Sequence, residues 1–567
     1  MNTLPSPMSP MRTSLRELAK ARLATMPEID VLILGGGVNG VATLRELALN
    51  GLSCALLETN DFCAGASSAS SRMAHGGLRY LEGREFGLVA ESARERNRLI
   101  AHAGHLVKPL EIVVPLRNLV AGFPGSVARF LGLSNKSGPL SLAALVGALR
   151  LYEAYGRKEH PLPAHKMILR KTRFPQGLHP GTRALVTYCD GQITQPEGLM
   201  FEMIAESMSQ GAKVAALNHV SWQRDGSSFQ VHDVFGKEVF RITPKLVVNA
   251  TGAWIDHVNA QLGGRTSYLR GVKGAHIVLN NPALSTRMDG RAFYFDDGTG
   301  RMIITLPVGR NVLVGTTEVD TSEPEDRSIS EDEIGYLLRA IDGLFSDIAV
   351  TGDQIISMTT GIRPLRRSSG SATSAARDHV IQEDQFADLP VPVLSLVGGK
   401  WTTFRAFAES AGDRIFRELG RERSNSTAAR QYPGAARCTP QDIIAQTGIT
   451  QDVADRLVQR YGALARDVAP LCTGEGAAAL AGAPDYCRGE MIWAIRARGA
   501  MRLEDLALRR SRLTFGHGLQ HATLKDLAAL LYQETGRSEH DLAQEIQTAL
   551  RDPRLMGQRA LRKELAA

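Results

Sequence analysis

Cysteine is scarce in this chain. Six residues, Cys54, Cys63, Cys189, Cys438, Cys472 and Cys487, are scattered over 567 positions with no CxxC spacing. That usage argues against a disulfide framework and against a zinc site. A reducing, cytoplasmic setting fits it. Long apolar runs are missing too: nothing approaches the roughly 18–20 apolar residues that span a bilayer. The N-terminus, MNTLPSPMSPMRTSLRELAKARLATMPE, lacks the apolar core of a secretion signal. Arg12, Arg16, Lys20 and Arg22 recur there at helical spacing. A frayed basic extension over residues 1–27 is the expectation, ahead of a membrane-surface helix or a transit peptide. No strong charge of one sign is present: a net +7 is diluted over a large surface. It favours acidic ligands or anionic membrane faces slightly and gives no reason to expect nucleic acid.

What remains is an ordinary globular balance, 43% apolar and 22% charged, in a chain long enough for two to four domains. IDVLILGGGVNGVATLRELALNGLSCALLET reads as a βαβ unit. Ile29 to Leu34 is a β-rich apolar run, Val38 to Leu49 has helical periodicity, and Leu52 to Leu57 is a second strand after Gly51. KLVVNATGAW (245–254) reads as another buried strand entering a glycine turn, and VLSLVGGKWTTFRAFAESAGDRIFREL (393–419) as strand, glycine turn and long helix. Alternating stretches between them, such as GAHIVLN and RMIITLPVGRNVLVGTTEV, predict an antiparallel sheet. Residues beyond about 434 read as almost wholly helical.

Gly35, Gly37 and Gly40 form GxGxxG directly between a strand and a helix. The first allows a tight turn, the second lets backbone approach a pyrophosphate, and the third lets helix pack on sheet. Glu58 ends the second strand, where a carboxylate accepts from ribose hydroxyls. The motif alone does not separate FAD from NAD. Two further glycine turns, at Thr251-Gly252 and Gly398-Gly399-Lys400, follow at long intervals. A compact NAD domain ends within roughly 150 residues, so a flavin domain assembled from distant segments explains three turns better.

LILGGGVNG, SSASSRMAHGGLRYLEGREFGLVAESARER, VVNATGAW, VKGAHIV, LVGTTEV, TTGIRPL, AARDH and GGKWTTFR occur in that order. With them, residues 29–410 resemble the respiratory, FAD-dependent glycerol-3-phosphate dehydrogenases. GEMIWAIRARGAMRLEDLALRRSRL extends the likeness into the C-terminal part. The resemblance implies an α/β fold: a discontinuous FAD-binding, Rossmann-like domain (28–424), an inserted mixed or antiparallel substrate-binding sheet (about 100–190 and 265–350), and an all-α C-terminal domain (425–567). It implies oxidation of sn-glycerol 3-phosphate to dihydroxyacetone phosphate, with electrons passing through FAD to a membrane quinone. Peripheral contact with the inner face of the cytoplasmic membrane and a homodimer complete the expected partners.

The same resemblance assigns roles. Gly76 and Gly77 bring backbone to the flavin, and Ser67, Ser68 and Ser71 line its phosphate and ribitol. His75 is structural support. Arg79, Tyr80 and Arg377 bind the substrate's polar end, arginine offering planar bidentate donors to a phosphate dianion. His276 is the general base, because imidazole titrates near working pH. Arg363 orients substrate and stabilises the developing alkoxide, while Lys400 reaches substrate or neutralises charge on the reduced flavin. Residues 117–157 form an apolar segment with scattered arginines, read as core ahead of a lid or a membrane-dipping element. Alternatives at this level are a same-fold flavoenzyme for another polyol phosphate or for an amino acid, an oxidase variant, or a flavin-binding protein without catalysis.

Overall fold

The computed structural model describes residues 13–77, 85–119, 142–156, 162–299, 301–367, 379–516 and 518–561. Arg79, Tyr80, Arg377 and residues 120–141 lie outside them.

Strand Glu28–Leu34 is buried at every position after the first. A strand apolar on both faces belongs in the middle of a parallel sheet covered by helices, and it sits there. Parallel neighbours flank it: Cys54–Leu57 and then Val214–Leu217 on one side, Val239–Asn249 and then Val393–Val397 on the other. Leu34 is paired with both Leu57 and Asn249, and Asn249 with Ser395. Three strands therefore end level and Val393–Val397 runs two residues further, which puts the turns after Leu34, Leu57, Asn249 and Val397 on one carboxyl edge. Helix Val38–Leu49 packs between Pro196–Ser209 and Phe404–Glu418 on this sheet, and their apolar faces share one core with its strands.

The second sheet is mainly antiparallel. Its path runs through Val319–Thr321, Leu269–Leu279, Asn311–Gly315, Met302–Val308, Ala292–Asp296, Val107–Leu116, Ala184–Ile193 and Met73–Ala74. Strand Ile355–Arg366 pairs with Leu269–Leu279 along its length, so the sheet extends beyond the ranges expected for it. Helix Glu331–Leu344, started by a Ser330–Glu333 capping box, covers one face. No helix among the described residues is long and apolar enough to cross a membrane.

The N-terminal expectation needs correction. Leu15–Thr25 is a helix whose Leu15, Ala19 and Leu23 are buried against the first sheet. Arg16 is buried as well, ion-paired with Asp233 and donating to Asn218 Oδ1 at 2.9 Å. Arg16, Lys20 and Arg22, read as solvated, have partners some 200 positions away, and Arg12 lies outside the described residues. The 117–157 stretch also contributes core where it is described: Leu142–Gly156 is a helix with Leu145, Leu149 and Tyr152 buried.

The C-terminal residues are helical apart from a short hairpin, Ala479–Leu480 with Ala483–Cys487. They dock on the carboxyl edge of the first sheet through buried charge. Arg509 and Arg510 both pair with Asp61, His219 Nε2 lies 2.9 Å from Asp505, and Asn218 Nδ2 donates to the Gly499 carbonyl at 3.0 Å.

Candidate active site

The glycine motif is built by overlap. A Cβ on Gly35 would lie 2.7 Å from the Ala250 carbonyl oxygen, and Gly35 has φ +105°. A Cβ on Gly40 would lie 2.0 Å from the Gly35 carbonyl oxygen. Gly37 differs: its φ of −76° suits any residue, and the nearest atom to a Cβ there is Ser67 Oγ at 3.4 Å. Two glycines thus serve chain packing, and the third keeps open the space before the helix N-terminus. Val38 N donates to Ser67 Oγ at 3.0 Å. Glu58 accepts from Gly36 N at 2.6 Å and Asn60 N at 2.8 Å, and burial holds its carboxyl above the usual range. Asn39 Nδ2 donates to the Gly398 carbonyl at 3.1 Å. Asn39 Oδ1 and Thr403 Oγ1 are buried acceptors without a partner among the described residues. Gly252 has φ +62° and open space where a Cβ would stand; Gly398 and Gly399 have φ of +83° and +94°. A helix start whose N-cap is a glycine with no side chain to cap it, a carboxylate and unsatisfied polar atoms on one sheet edge fit the pyrophosphate and ribose of a dinucleotide.

Ser68 Oγ donates to the Gly65 carbonyl at 3.2 Å, so it shapes the loop. Ser71, expected on the cofactor, has its Oγ 2.8 Å from His276 Nε2. His276 stands on strand Leu269–Leu279 opposite Gly315, where any Cβ would strike the imidazole at 2.0 Å. Burial, then the positive charges of Arg363 and Arg72, push the imidazole down to about 3. The imidazole is therefore held below the ordinary range expected of it, which favours its neutral form. Arg363, on the neighbouring strand Ile355–Arg366 opposite Val272, donates to Thr316 Oγ1 at 3.0 Å and pairs with Glu318 at 3.3 Å.

The opening between His75 and Gly77 has a second explanation. Gly76 N donates to Tyr152 OH at 2.8 Å, and a Cβ there would stand 2.3 Å from the Tyr152 ring. Tyr152 OH donates to Asp190 Oδ1 at 2.5 Å, and Arg96 Nη1 reaches both, at 2.6 and 2.7 Å. Burial raises the Asp190 carboxyl despite the guanidinium. Gly77, at φ +75°, donates its N–H to His75 Nδ1 at 3.1 Å. Thr402 Oγ1 brackets His75, accepting from its N–H and donating to its carbonyl, each at 3.1 Å. Lys400 Nζ donates to Ser92 Oγ at 2.9 Å. Helix Phe86–His102 thus fixes Lys400 through Ser92, and the Gly76 loop through Arg96. Arg96, Tyr152, Asp190, Ser92 and Thr402 were not picked out from the sequence; singly, each looks like an ordinary polar residue.

A family model described as FAD dependent oxidoreductase matches residues 30–386, and one described as C-terminal domain of alpha-glycerophosphate oxidase matches 425–542. A glycerol-3-phosphate dehydrogenase of Synechocystis sp. is 30% identical over 534 residues, covering 87% of this chain and 91% of that one. The chain belongs to the FAD-dependent glycerol-3-phosphate dehydrogenase family. An aerobic glycerol-3-phosphate dehydrogenase of Staphylococcus saprophyticus is also 30% identical, over 73% of this chain and 71% of its own. The fold matches that of a Bacillus halodurans glycerol-3-phosphate dehydrogenase solved with FAD. Its TM-score is 0.71 at 20% identity, over 96% of this chain and 98% of that one. The cofactor is FAD, and Gly35, Gly37, Gly40, Glu58, Thr251, Gly252, Gly398 and Gly399 stand on the edge that fits it.

Proposed function

We propose that the protein oxidises sn-glycerol 3-phosphate to dihydroxyacetone phosphate and passes the electrons to a membrane quinone. The observation that carries the site reading is the buried His276, with Nε2 2.8 Å from Ser71 Oγ and Arg363 on the neighbouring strand. Bound FAD supplies the hydride acceptor; the chain supplies the base, the charge and the positioning. His276 is 2% exposed, whereas Ser71 is half-buried. The substrate hydroxyl proton therefore reaches Nε2 through Ser71 Oγ. Arg363 stabilises the alkoxide that forms as the proton leaves, its guanidinium held in place by Thr316 and Glu318. Lys400, anchored by Ser92, neutralises negative charge that accumulates at the end of strand Val393–Val397. Arg79, Tyr80 and Arg377 complete the set by gripping the phosphate. A bound dianion offsets the arginine charges that depress His276, so substrate raises the basicity of its own base.

The chain divides at residue 424 into an FAD- and substrate-binding part and a helical part, the second sheet forming the substrate side. Membrane contact is peripheral. Lys166, Met167, Leu169, Arg170, Lys171 and Arg173 are exposed together on and after the edge strand Lys166–Ile168, a mixture that suits an interface with anionic lipid. A dye-linked assay with sn-glycerol 3-phosphate, glycerol and longer polyol phosphates tests the substrate. Equal rates with glycerol would end the phosphate reading, and a faster longer polyol phosphate would reassign the substrate. Quinone reduction no better in anionic vesicles than in buffer would end the membrane reading.

A further inference from the structure

Two cysteines unused by the proposed chemistry meet in the C-terminal helices. Cys472 ends the short helix Ala469–Cys472, and Cys487 is the residue before helix Arg488–Arg498. Their Sγ atoms are 2.8 Å apart, and both residues are buried. The approach is built into the backbone. A Cβ on Gly489 would lie 2.1 Å from the Leu471 carbonyl oxygen and 2.7 Å from Cys472 N, and one on Gly476 would lie 1.9 Å from that same carbonyl. Only glycine at both positions lets the two segments touch there. The intervening hairpin turns the chain back, pairing Ala479 with Cys487.

The two thiols are not equivalent. Cys487 caps an eleven-residue helix: its Sγ accepts from the Glu490 amide, and Glu490 Oε1 accepts from Cys487 N at 3.1 Å. Contact with Cys472, aided by the Glu490 and Gly489 amides, holds the Cys487 thiol below its usual range. Helix N-termini favour thiolate in general. Cys54 and Cys63, buried with no such donors, are pushed up by desolvation. Cys438 packs at the margin of the same apolar cluster and is the natural competitor.

We propose that Cys472 and Cys487 form a reversible disulfide, driven by hydrogen peroxide, that ties the start of helix Arg488–Arg498 to the segment before the hairpin. The Cys487 thiolate attacks one peroxide oxygen and the O–O bond breaks. Cys487 becomes a sulfenic acid, and the leaving hydroxide takes a proton to become water. Cys472 sulfur then attacks Cys487 sulfur, the S–O bond breaks, and a second water leaves. Two thiols lose two hydrogens and two electrons, and the peroxide is reduced to two waters. Cys487 is 7% exposed against 2% for Cys472, so it is the thiol a small peroxide reaches first. In a reducing compartment the bond is transient. The tied helix ends at Gly499, whose carbonyl receives Asn218 from the first sheet, so the bond stiffens the route by which the C-terminal helices grip that sheet.

The test uses full-length holoprotein treated with hydrogen peroxide, quenched with catalase, denatured and alkylated. Reduced protein takes up six alkyl groups, one per cysteine; the oxidised protein is expected to take up two fewer and to yield a linked peptide joining Cys472 and Cys487. Dithiothreitol restores full alkylation, and the melting temperature of the oxidised form falls back with it. A link from Cys438 to either residue overturns the proposal. So do unreduced alkylation at both positions and a sulfinic acid at Cys487 with Cys472 still alkylated. Cys472→Ser and Cys487→Ser, judged folded by flavin content, should each abolish the linked peptide and the melting shift while leaving dye-linked activity within twofold. The wild-type peptide map decides the matter should either variant fail to fold.

Discussion

Substituting alanine at Gly37 and at Gly40 separates cofactor contact from chain packing. At Gly40 the new methyl carbon would fall 2.0 Å from a backbone carbonyl, which has no rotamer to yield. Alanine gains about 1 kcal/mol of helix propensity over glycine and loses about 3 kcal/mol to overlap. Roughly 2 kcal/mol of destabilisation remains, several degrees of Tm at roughly 2–4 °C per kcal/mol, with or without flavin. At Gly37 the backbone already suits alanine, and Ser67 Oγ at 3.4 Å is an ordinary contact. The apo protein should therefore be as stable as wild type, or better by about 0.4–1 kcal/mol through reduced freedom in the unfolded chain. The methyl instead fills the approach to the helix N-terminus. Losing two charge-assisted contacts at about 1.5–3 kcal/mol each weakens FAD by at least about a hundredfold. Melting curves of flavin-stripped protein and titration of FAD fluorescence measure the two effects separately. A Gly37→Ala protein that purifies with stoichiometric FAD and wild-type affinity would refute the placement of the pyrophosphate. A Gly40→Ala protein that melts like wild type would refute the packing argument.

We propose that the flavin is held without a covalent link, so acid-precipitated protein should release it to the supernatant; flavin in the pellet would contradict this. His276→Gln should lower kcat by about 10²–10⁴-fold with KM little changed. Because free-enzyme His276 titrates at about 3 and bound dianion raises it, the acid limb of kcat/KM should lie at lower pH than that of kcat; coincident limbs would count against the assignment. The same group titrates at about 6.5 when unfolded, so the unfolded chain binds the extra proton between about 3 and 6.5. Its contribution is whole above about 6.5 and declines as pH falls, by at most roughly 1.4 kcal/mol per pH unit, and denaturant melts of His276→Gln should show a shallower acid loss. Arg363→Lys, which gives up the planar fork, and Arg377→Ala should each cost on the order of 2 kcal/mol, about thirtyfold in kcat/KM. Tyr152→Phe leaves the Gly76 amide and Asp190 short of a partner and should cost about 1–3 kcal/mol in stability, with FAD loosened alongside; an unchanged melting curve would show the cluster to be idle.

The glycine turns were readable because each followed an apolar β-rich run. Parallel pairing in one register then brought Leu34, Leu57, Asn249 and Val397 to a common edge. Alternation likewise announced strands such as Leu269–Leu279. What escaped was everything whose meaning depends on a distant partner. Arg16 and Lys20 look solvated until Asp233 is beside them. Ser71 belongs by position to a cofactor loop, yet it meets His276 from another sheet. Arg96, Tyr152 and Asp190 come from two helices and a strand, and no periodicity links them. The depressed pKa of His276 follows from burial and two arginines far off in the chain, Arg363 after it and Arg72 before it, neither visible as a local pattern. Cys472 and Cys487 escaped for the same reason, their approach being set by Gly476 and Gly489 rather than by a spacing motif.

The most direct test of the central claim is an anaerobic titration of the purified holoprotein with sn-glycerol 3-phosphate, following flavin absorbance at about 450 nm. The account predicts bleaching that is complete with a slight excess of substrate, one dihydroxyacetone phosphate formed per flavin reduced, and no bleaching by glycerol. Oxidised flavin that persists in the presence of sn-glycerol 3-phosphate but bleaches with dithionite would contradict it.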